Sequence, residues 1–310
     1  MKSPVKIGTR GSKLALYQSE VVRAKLKALF PSLECEFVKI RTKGDIVQRG
    51  AIDSIGPGIF TREIEEALLS GEIDLAVHSA KDLATELPEG LEIGAVLMRE
   101  DPRDCLVARE GKTLKELPRG AKIGTSSLRR RAQVKRLRPD LETLELRGNV
   151  DTRLRKVKEG AYDGIVIAHA GLKRLGLEGA VTEVFEEDYF LPQAGQGALA
   201  VEIRKGDQKI KELVQSINHE PAFIQVSAER SFLRRLEGGC QIPAGVASKI
   251  EANKLTLKGA IFSLEGDREV TDAITGSVSE GEKLGRDLAE KLIKAGGNEI
   301  LKAIRNGAKA

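Results

Sequence analysis

The chain has 310 residues, 41% hydrophobic and 31% charged, with 51 basic and 46 acidic side chains and a formal charge of +5. Such a composition excludes a disordered chain, and the length favours two or three domains over a single core. Three cysteines without C-x-x-C spacing, Cys35, Cys105 and Cys240, suggest neither a disulfide framework nor a structural zinc site, and so a reducing compartment.

Val5-Lys6-Ile7 opens a strand almost at once, leaving no room for a signal peptide, and no apolar run reaches the length of a membrane span. The protein is therefore read as cytoplasmic. After Ser12, a plausible N-cap, the residues Ala15, Ser19, Val22, Leu26 and Leu29 recur at 4-3-4-3 spacing, which predicts a helix with one apolar face. Pro31-Ser32-Leu33-Glu34 leads into an apolar strand holding Cys35, which, like Cys105, reads as a small buried hydrophobe. Thr61 is placed to cap a helix from Arg62 to Ser70, stopped by Gly71. A strand Ile73–Val77 comes next, with Asp82 just beyond it.

The pattern then repeats. Lys122-Ile123-Gly124-Thr125 echoes Lys6-Ile7-Gly8-Thr9, Pro139-Asp140-Leu141-Glu142 echoes Pro31 to Glu34, and the segment 160–166 echoes 71–77. Each block reads strand, helix, strand, helix, strand, which indicates parallel βαβ units and a duplicated architecture. Two such α/β lobes would face each other across a cleft lined by strand C-termini and helix N-termini. Phe190 to Gly197 reads as a crossover, after which the chain returns to the first lobe. From about Pro221 a helix to Arg235, strands over Gly245–Ile250, Leu255–Phe262 and Glu269–Ile274, and a closing helix make a smaller C-terminal α+β domain. Ser279 to Glu282 form a capping-box pattern for that helix, with Leu284, Leu288 and Leu292 on one side. The expected boundaries are residues 1–97 with 196–216 for lobe one, 98–195 for lobe two, and 217–310 for the third domain.

Three features carry chemistry. Cys240 lies in the loop Leu236-Glu237-Gly238-Gly239-Cys240-Gln241-Ile242-Pro243, a poor place for a core thiol and a good one for a reactive group. Asp82, past a strand end, is positioned to pass protons or stabilise a developing cation, although such an acid is often only a surface group. From Arg119 to Arg138 there are eight Lys or Arg and no acid, and Thr125, Ser126 and Ser127 open a helix within that stretch. Helix N-terminal N–H groups, hydroxyls and arginine forks together suit an anion, against the plainer reading of a solvated basic face. No aromatic residue lies between Pro118 and Ala161, which argues against single-stranded nucleic acid. No Walker-type loop is present, which argues against ordinary nucleotide hydrolysis. His78, His169 and His219 show no metal-ligand spacing, and His169 reads as a packed residue. The residues by themselves leave three classes open: an enzyme holding a polyanion, covalently or not; a cytosolic two-lobed binding module for a small polyanion; and a cysteine-dependent hydrolase or acyl transferase.

Taken in order, the motifs resemble the porphobilinogen deaminase (hydroxymethylbilane synthase) family. They are Ile7-Gly8-Thr9-Arg10-Gly11-Ser12, Val77 to Asp82, Leu87 to Leu91, Arg99-Glu100-Asp101-Pro102-Arg103-Asp104, Gly124 to Arg130, Leu146-Arg147-Gly148-Asn149, Ala170 to Leu175, Pro192 to Gly197 and Gly238-Gly239-Cys240. The resemblance implies two periplasmic-binding-protein-like lobes with a third domain. It implies a transferase that deaminates four porphobilinogen molecules, joins them head to tail and finally hydrolyses off a linear tetrapyrrole. A dipyrromethane cofactor would hang by a thioether from Cys240, beside Lys81, Ser79, Thr125, Ser127, Arg129, Arg130 and Gly148. The substrate's acetates and propionates would meet Arg10, Ser12, Ser126, Arg147, Arg153, Arg174 and Gln196. Asp82 would assist ammonia loss, stabilise the azafulvenium cation and accept the pyrrole proton. The family reading carries no metal, nucleic-acid or membrane partner and takes the chain as a monomer. Two positions depart from the family pattern: the glycine-rich loop Ile55 to Phe60 carries Pro57 where a lysine is usual, and Asp82 is followed by Leu83-Ala84-Thr85 without the expected proline.

Overall fold

The computed structural model of the chain describes residues 4–46, 61–237 and 242–307. Cys240 and the Ile55–Phe60 loop with Pro57 lie outside these residues. The chain divides into two compact units, Met1–Glu100 with Ala198–Val226, and Asp101–Gly197 with Ser227–Ala310.

The first unit is a five-stranded mixed sheet in the order β2-β1-β3-β10-β4, formed by β1 (Val5–Thr9), β2 (Cys35–Lys39), β3 (Leu75–Ser79), β4 (Leu91–Val96) and β10 (Leu199–Arg204). β1 runs parallel to both β2 and β3, aligning Ile7 with Phe37 and with Leu75, whereas β10 is antiparallel to β3 and β4. The return of the chain to the first sheet after the Phe190–Gly197 segment is thus as expected. Helices α1 (Lys13–Leu29) and α7 (Gln208–Gln215) supply Val22, Leu26, Ile210 and Val214 to a core built on Ile7, Leu75 and Val201. A second core holds Ile64 and Leu68 of α3 (Arg62–Ser70) with Ile73, Ala76 and Leu91, and the short α2 (Lys43–Ile46) precedes it in sequence.

Helix α1 starts where the sequence places it, with Ser12 Oγ accepting from the Ala15 N–H at 3.3 Å. Its last apolar position differs: Leu29 is 54% exposed, because the stripe runs off the sheet in the final turn. Helix α3 also has the expected limits, and Gly71 ends it at φ +76°. Thr61, however, makes no side-chain cap. Its hydroxyl serves the buried Glu65 carboxylate instead, whose pKa is raised by burial and only partly lowered by that hydrogen bond. Beside it, His78 Nε2 meets Glu202 Oε2 at 3.0 Å inside the core.

The second unit repeats the plan. Strands β5 (Asp104–Ala108), β6 (Lys122–Gly124), β7 (Glu142–Leu144), β8 (Gly164–Ala168) and β9 (Glu183–Val184) form a sheet in the order β7-β6-β8-β5-β9. β6 is parallel to β7 and β8, and β5 is antiparallel to β8 and β9. The order β7-β6-β8 reproduces β2-β1-β3, the echo seen in the sequence. Helices α4 (Leu128–Leu137), α5 (Val150–Lys158) and α6 (His169–Arg174) cover it, burying Val134 in one core and Val157 and Leu172 in another.

The C-terminal residues of this unit form an antiparallel meander of β11 (Ala244–Glu251), β12 (Lys254–Phe262) and β13 (Glu269–Ser277). Helix α8 (Glu220–Arg235) contributes the buried Phe232, and α9 (Gly281–Leu292) buries Leu284, Leu288 and Leu292, the predicted face. The predicted capping box is replaced by a 3-10 turn, Val278–Glu280, capped by Ser277 rather than Ser279, so α9 begins at Gly281 without a side-chain cap. A turn at Ile293–Gly297 leads to α10 (Asn298–Gly307). Within the unit the β12–β13 turn sits hard on α4: a Cβ on Gly266, at φ +74°, would lie 2.5 Å from both Ala132 O and Arg136 N.

Candidate active site

In the first unit, β1 and β3 are parallel neighbours, so the chain leaves both of them at the same carboxyl edge of the sheet. Arg10 and Ser12 come directly after β1, while Ser79 ends β3 and the 3-10 turn Ala80–Asp82 presents Lys81 and Asp82. Ser79 Oγ accepts from Gln18 Nε2 at 2.9 Å, which ties the end of β3 to helix α1. Asp82 is exposed and Lys81 half-buried. The sequence-predicted acid, cation and hydroxyls of this lobe therefore share one edge.

The same logic orders the second unit. The ends of β6, β7 and β8 lead to Thr125–Ser127, to Arg147 and Gly148, and to α6 with Arg174. Ser126 Oγ bridges to the neighbouring chain segment, donating to Leu146 O at 2.7 Å and accepting from Leu146 N at 3.1 Å. Ser127 caps α4 by accepting from the Arg130 N–H, and Thr125 Oγ1 accepts from the Ser127 N–H. Asn149 caps α5, accepting from the Thr152 N–H at 2.9 Å. Gly148 turns the chain into that cap at φ +114°, where a Cβ would lie 2.8 Å from Thr152 Cγ2. Arg153 Nε donates back to Gly148 O at 2.7 Å, and Arg174 Nη2 to Gly197 O at 2.6 Å.

The basic stretch divides into distinct roles. Arg138 serves structure, pairing with Asp140 and donating to the carbonyls of Leu114, Lys115 and Leu117. Arg131 and Arg136 reach Glu265 and Glu269 of the C-terminal meander. Arg129 and Arg130 turn inward. Arg129 Nη1 donates to Asp104 Oδ2 at 2.7 Å and to Leu191 O at 2.5 Å, and Arg130 Nε donates to Asp104 Oδ1 at 2.9 Å. Asp104 has no exposed surface; burial would raise its pKa, but the two guanidiniums, with hydrogen bonds from Arg129 and Gln196, bring it down to about 2. The solvated-face reading thus holds for part of the stretch and fails for the pair at the start of α4.

That pair lines a cavity of about 210 Å³ together with Ser126, Ser127, Arg153 and Gln193. Leu233, Ile242 and Ala244 of the C-terminal part complete the lining. Ile242 is the first described residue after the segment that carries Cys240. Hydroxyls, amide and guanidiniums beside apolar carbons fit a flat, multiply carboxylated ring system, apolar in its body and anionic at its edge. The other two cysteines are poorly suited to covalent chemistry. Cys105 is fully buried, which pushes its thiol up to about 12, and Cys35 is also raised by burial against the opposing pull of Lys27 and Arg23. His169, expected only to pack, is anchored through Nδ1 to Asp101 at 3.0 Å. Asp101 lies well below the carboxylate range because hydrogen bonds from Arg103 and His169 outweigh burial.

Family models match two segments of the chain: "Porphobilinogen deaminase, dipyromethane cofactor binding domain" over residues 5–212, and "Porphobilinogen deaminase, C-terminal domain" over residues 223–294. The chain belongs to the porphobilinogen deaminase family. It is 49% identical to the porphobilinogen deaminase of Pelotomaculum thermopropionicum over 306 residues, 98% of each chain. It is 48% identical to that of Carboxydothermus hydrogenoformans, covering 99% of both. A solved methionine-binding protein, MetQ, is 14% identical with a TM-score of 0.46, over 71% of this chain and 91% of that one. The matched cofactor-binding model spans both five-stranded sheets and every predicted site residue except Cys240. Asp104 and Gln133 are additions to the expected set: Asp104 closes the Arg99–Asp104 motif without an assigned role, and Gln133 exchanges two hydrogen bonds with Leu191. A polar residue one turn beyond the buried arginines was the available signal for Gln133.

Proposed function

We propose that this enzyme deaminates porphobilinogen, joins four molecules head to tail and hydrolyses off hydroxymethylbilane, using a dipyrromethane linked by a thioether to Cys240. The observation that carries this reading is the cavity at the start of α4, lined by Ser126, Ser127, Arg129, Arg130 and Arg153, within the segment matched to a dipyrromethane-binding domain. Bound there, the dipyrromethane supplies a nucleophilic pyrrole end on which the chain is built.

The protein's own groups supply the rest. Thr125, Ser127, Arg129, Arg130 and Gly148, with Ser79 and Lys81, hold the dipyrromethane. Arg10, Ser12, Ser126, Arg147, Arg153, Arg174 and Gln196 hold the carboxylates of incoming pyrroles, each charge-assisted contact fixing ring orientation as well as adding affinity. Asp82 first stabilises the positive charge that appears as ammonia leaves, then takes the proton released when the new carbon–carbon bond restores the aromatic pyrrole. A carboxylate suits both tasks because it is anionic in the first and a modest base in the second. The Cys240 sulfur is soft enough to form a thioether that survives repeated cycles. The absence of paired cysteine spacing supports a cytoplasmic setting, and among the described residues no helix is long and apolar enough to cross a membrane. We take the working form as a monomer.

Ammonia release on mixing the purified protein with porphobilinogen tests the proposal. Release with formation of a linear tetrapyrrole supports it; saturable binding without ammonia would favour a polyanion-binding module.

A further inference from the structure

The buried arginine pair leads to a residue that the family reading does not use. Asp104 stands at the first position of β5 and contacts both guanidiniums, with Arg129 Nη1 at 2.7 Å from Oδ2 and Arg130 Nη2 at 2.7 Å from Oδ1. Gln196 braces the arrangement: its Nε2 donates to Asp104 Oδ1 at 2.9 Å and to Pro102 O at 2.8 Å, and its Oε1 accepts from Arg130 Nη2 at 3.2 Å. The Nε and Nη2 edge of Arg130 is therefore fixed, and no hydrogen bond within the described residues engages its Nη1. Asp104 supplies one negative charge to two buried guanidiniums.

We propose that Asp104 is a positioning residue, which holds Arg129 and Arg130 so that a ligand carboxylate enters against Arg130, with Gln196 as its brace. The inference rests on the reading that this cavity takes a multiply carboxylated pyrrole. Asp104 does not touch that ligand; it acts through the guanidiniums. Two roles with opposite signatures can be separated. If Asp104 sets geometry, removing its charge lets the forks drift and weakens ligand binding. If it only moderates charge, the same change makes the cavity more cationic and strengthens binding of an anion.

The test compares wild type with Asp104→Asn in the full chain. KM and kcat for porphobilinogen come from ammonia release, and dipyrromethane loading comes from intact mass. Loss of geometry predicts a KM raised by about tenfold or more, with slower loading. An unchanged or lowered KM in a folded Asp104→Asn protein would overturn the proposal. Should that variant fail to fold, Asp104→Glu keeps the charge and displaces the carboxylate by one methylene, which shifts both guanidinium forks. It is expected to raise KM several-fold, and a wild-type KM would overturn the proposal equally. A wild-type protein that never acquires the dipyrromethane would instead overturn the cofactor reading beneath it.

Discussion

Asp82 and Asp104 are both carboxylates, and their surroundings suit them to the opposite roles proposed for them. Asp82, exposed at the end of a 3-10 turn, is accessible for proton transfer; Asp104, sealed beneath two arginines, is not. Asp82→Asn should fold normally and retain pyrrole binding, yet turn over roughly 10²-fold or more slowly. Near-normal single-turnover ammonia release in that variant would remove Asp82 from the mechanism. Asp104 predicts a pH effect on stability. Its folded pKa, about 2, lies below its ordinary value of 3.8, so it contributes stability above pH 4 that is lost as the pH falls towards 2. Acid denaturation monitored by circular dichroism should therefore steepen in that window for wild type and flatten for Asp104→Asn. Residue roles of this kind were only partly legible in the sequence. An arginine run gives its charge but not its direction. Arg138 and Arg129 look alike in the chain, and only packing sends one to the Leu114 carbonyl and the other to Asp104.

The secondary elements matter through their ends. Three parallel strands in each unit stop at one edge, and the capped helices beyond them set where each polar group emerges. At α5 the device is Gly148 followed by Asn149. Asn149→Ala should cost about 1 kcal/mol through loss of the cap. Gly148→Ala should cost about 1–3 kcal/mol through its positive φ, and it should also shift Arg153, which donates to the Gly148 carbonyl. Thermal melts and KM for porphobilinogen measured together check this; a destabilised Gly148→Ala protein with unchanged KM would separate Arg153 from binding. Helix limits were readable wherever one residue type dominates the physics. Ser12 and Gly71 stand where caps were expected. Thr61 and Ser279 did not cap, because a local partner in the first turn of the same helix, the Glu65 carboxylate, took the Thr61 hydroxyl and a neighbour, Ser277, took the place of Ser279.

At the level of the whole chain, the repeated blocks revealed the three parallel strands of each sheet, and the Phe190–Gly197 crossover the return of the chain to the first, since the order of apolar strands survives in sequence. The antiparallel strand each sheet borrows, β10 in one and β5 in the other, was not signalled, because pairing direction is decided by chain path rather than composition. Nor was the attachment of the C-terminal meander to the second sheet's unit, where Gly266 meets α4 backbone. Gly266→Ala should destabilise that unit by about 1–3 kcal/mol, and hydrogen exchange should show α4 and the meander losing protection together; loss confined to the β12–β13 turn would contradict a shared unit. The central claim, a cofactor built from substrate and held by Cys240, is tested most directly by intact mass. Wild-type protein incubated with porphobilinogen should exceed its sequence mass by two linked pyrrole units, and Cys240→Ser should show no excess. An unmodified wild type, or the same adduct on the serine variant, would contradict it.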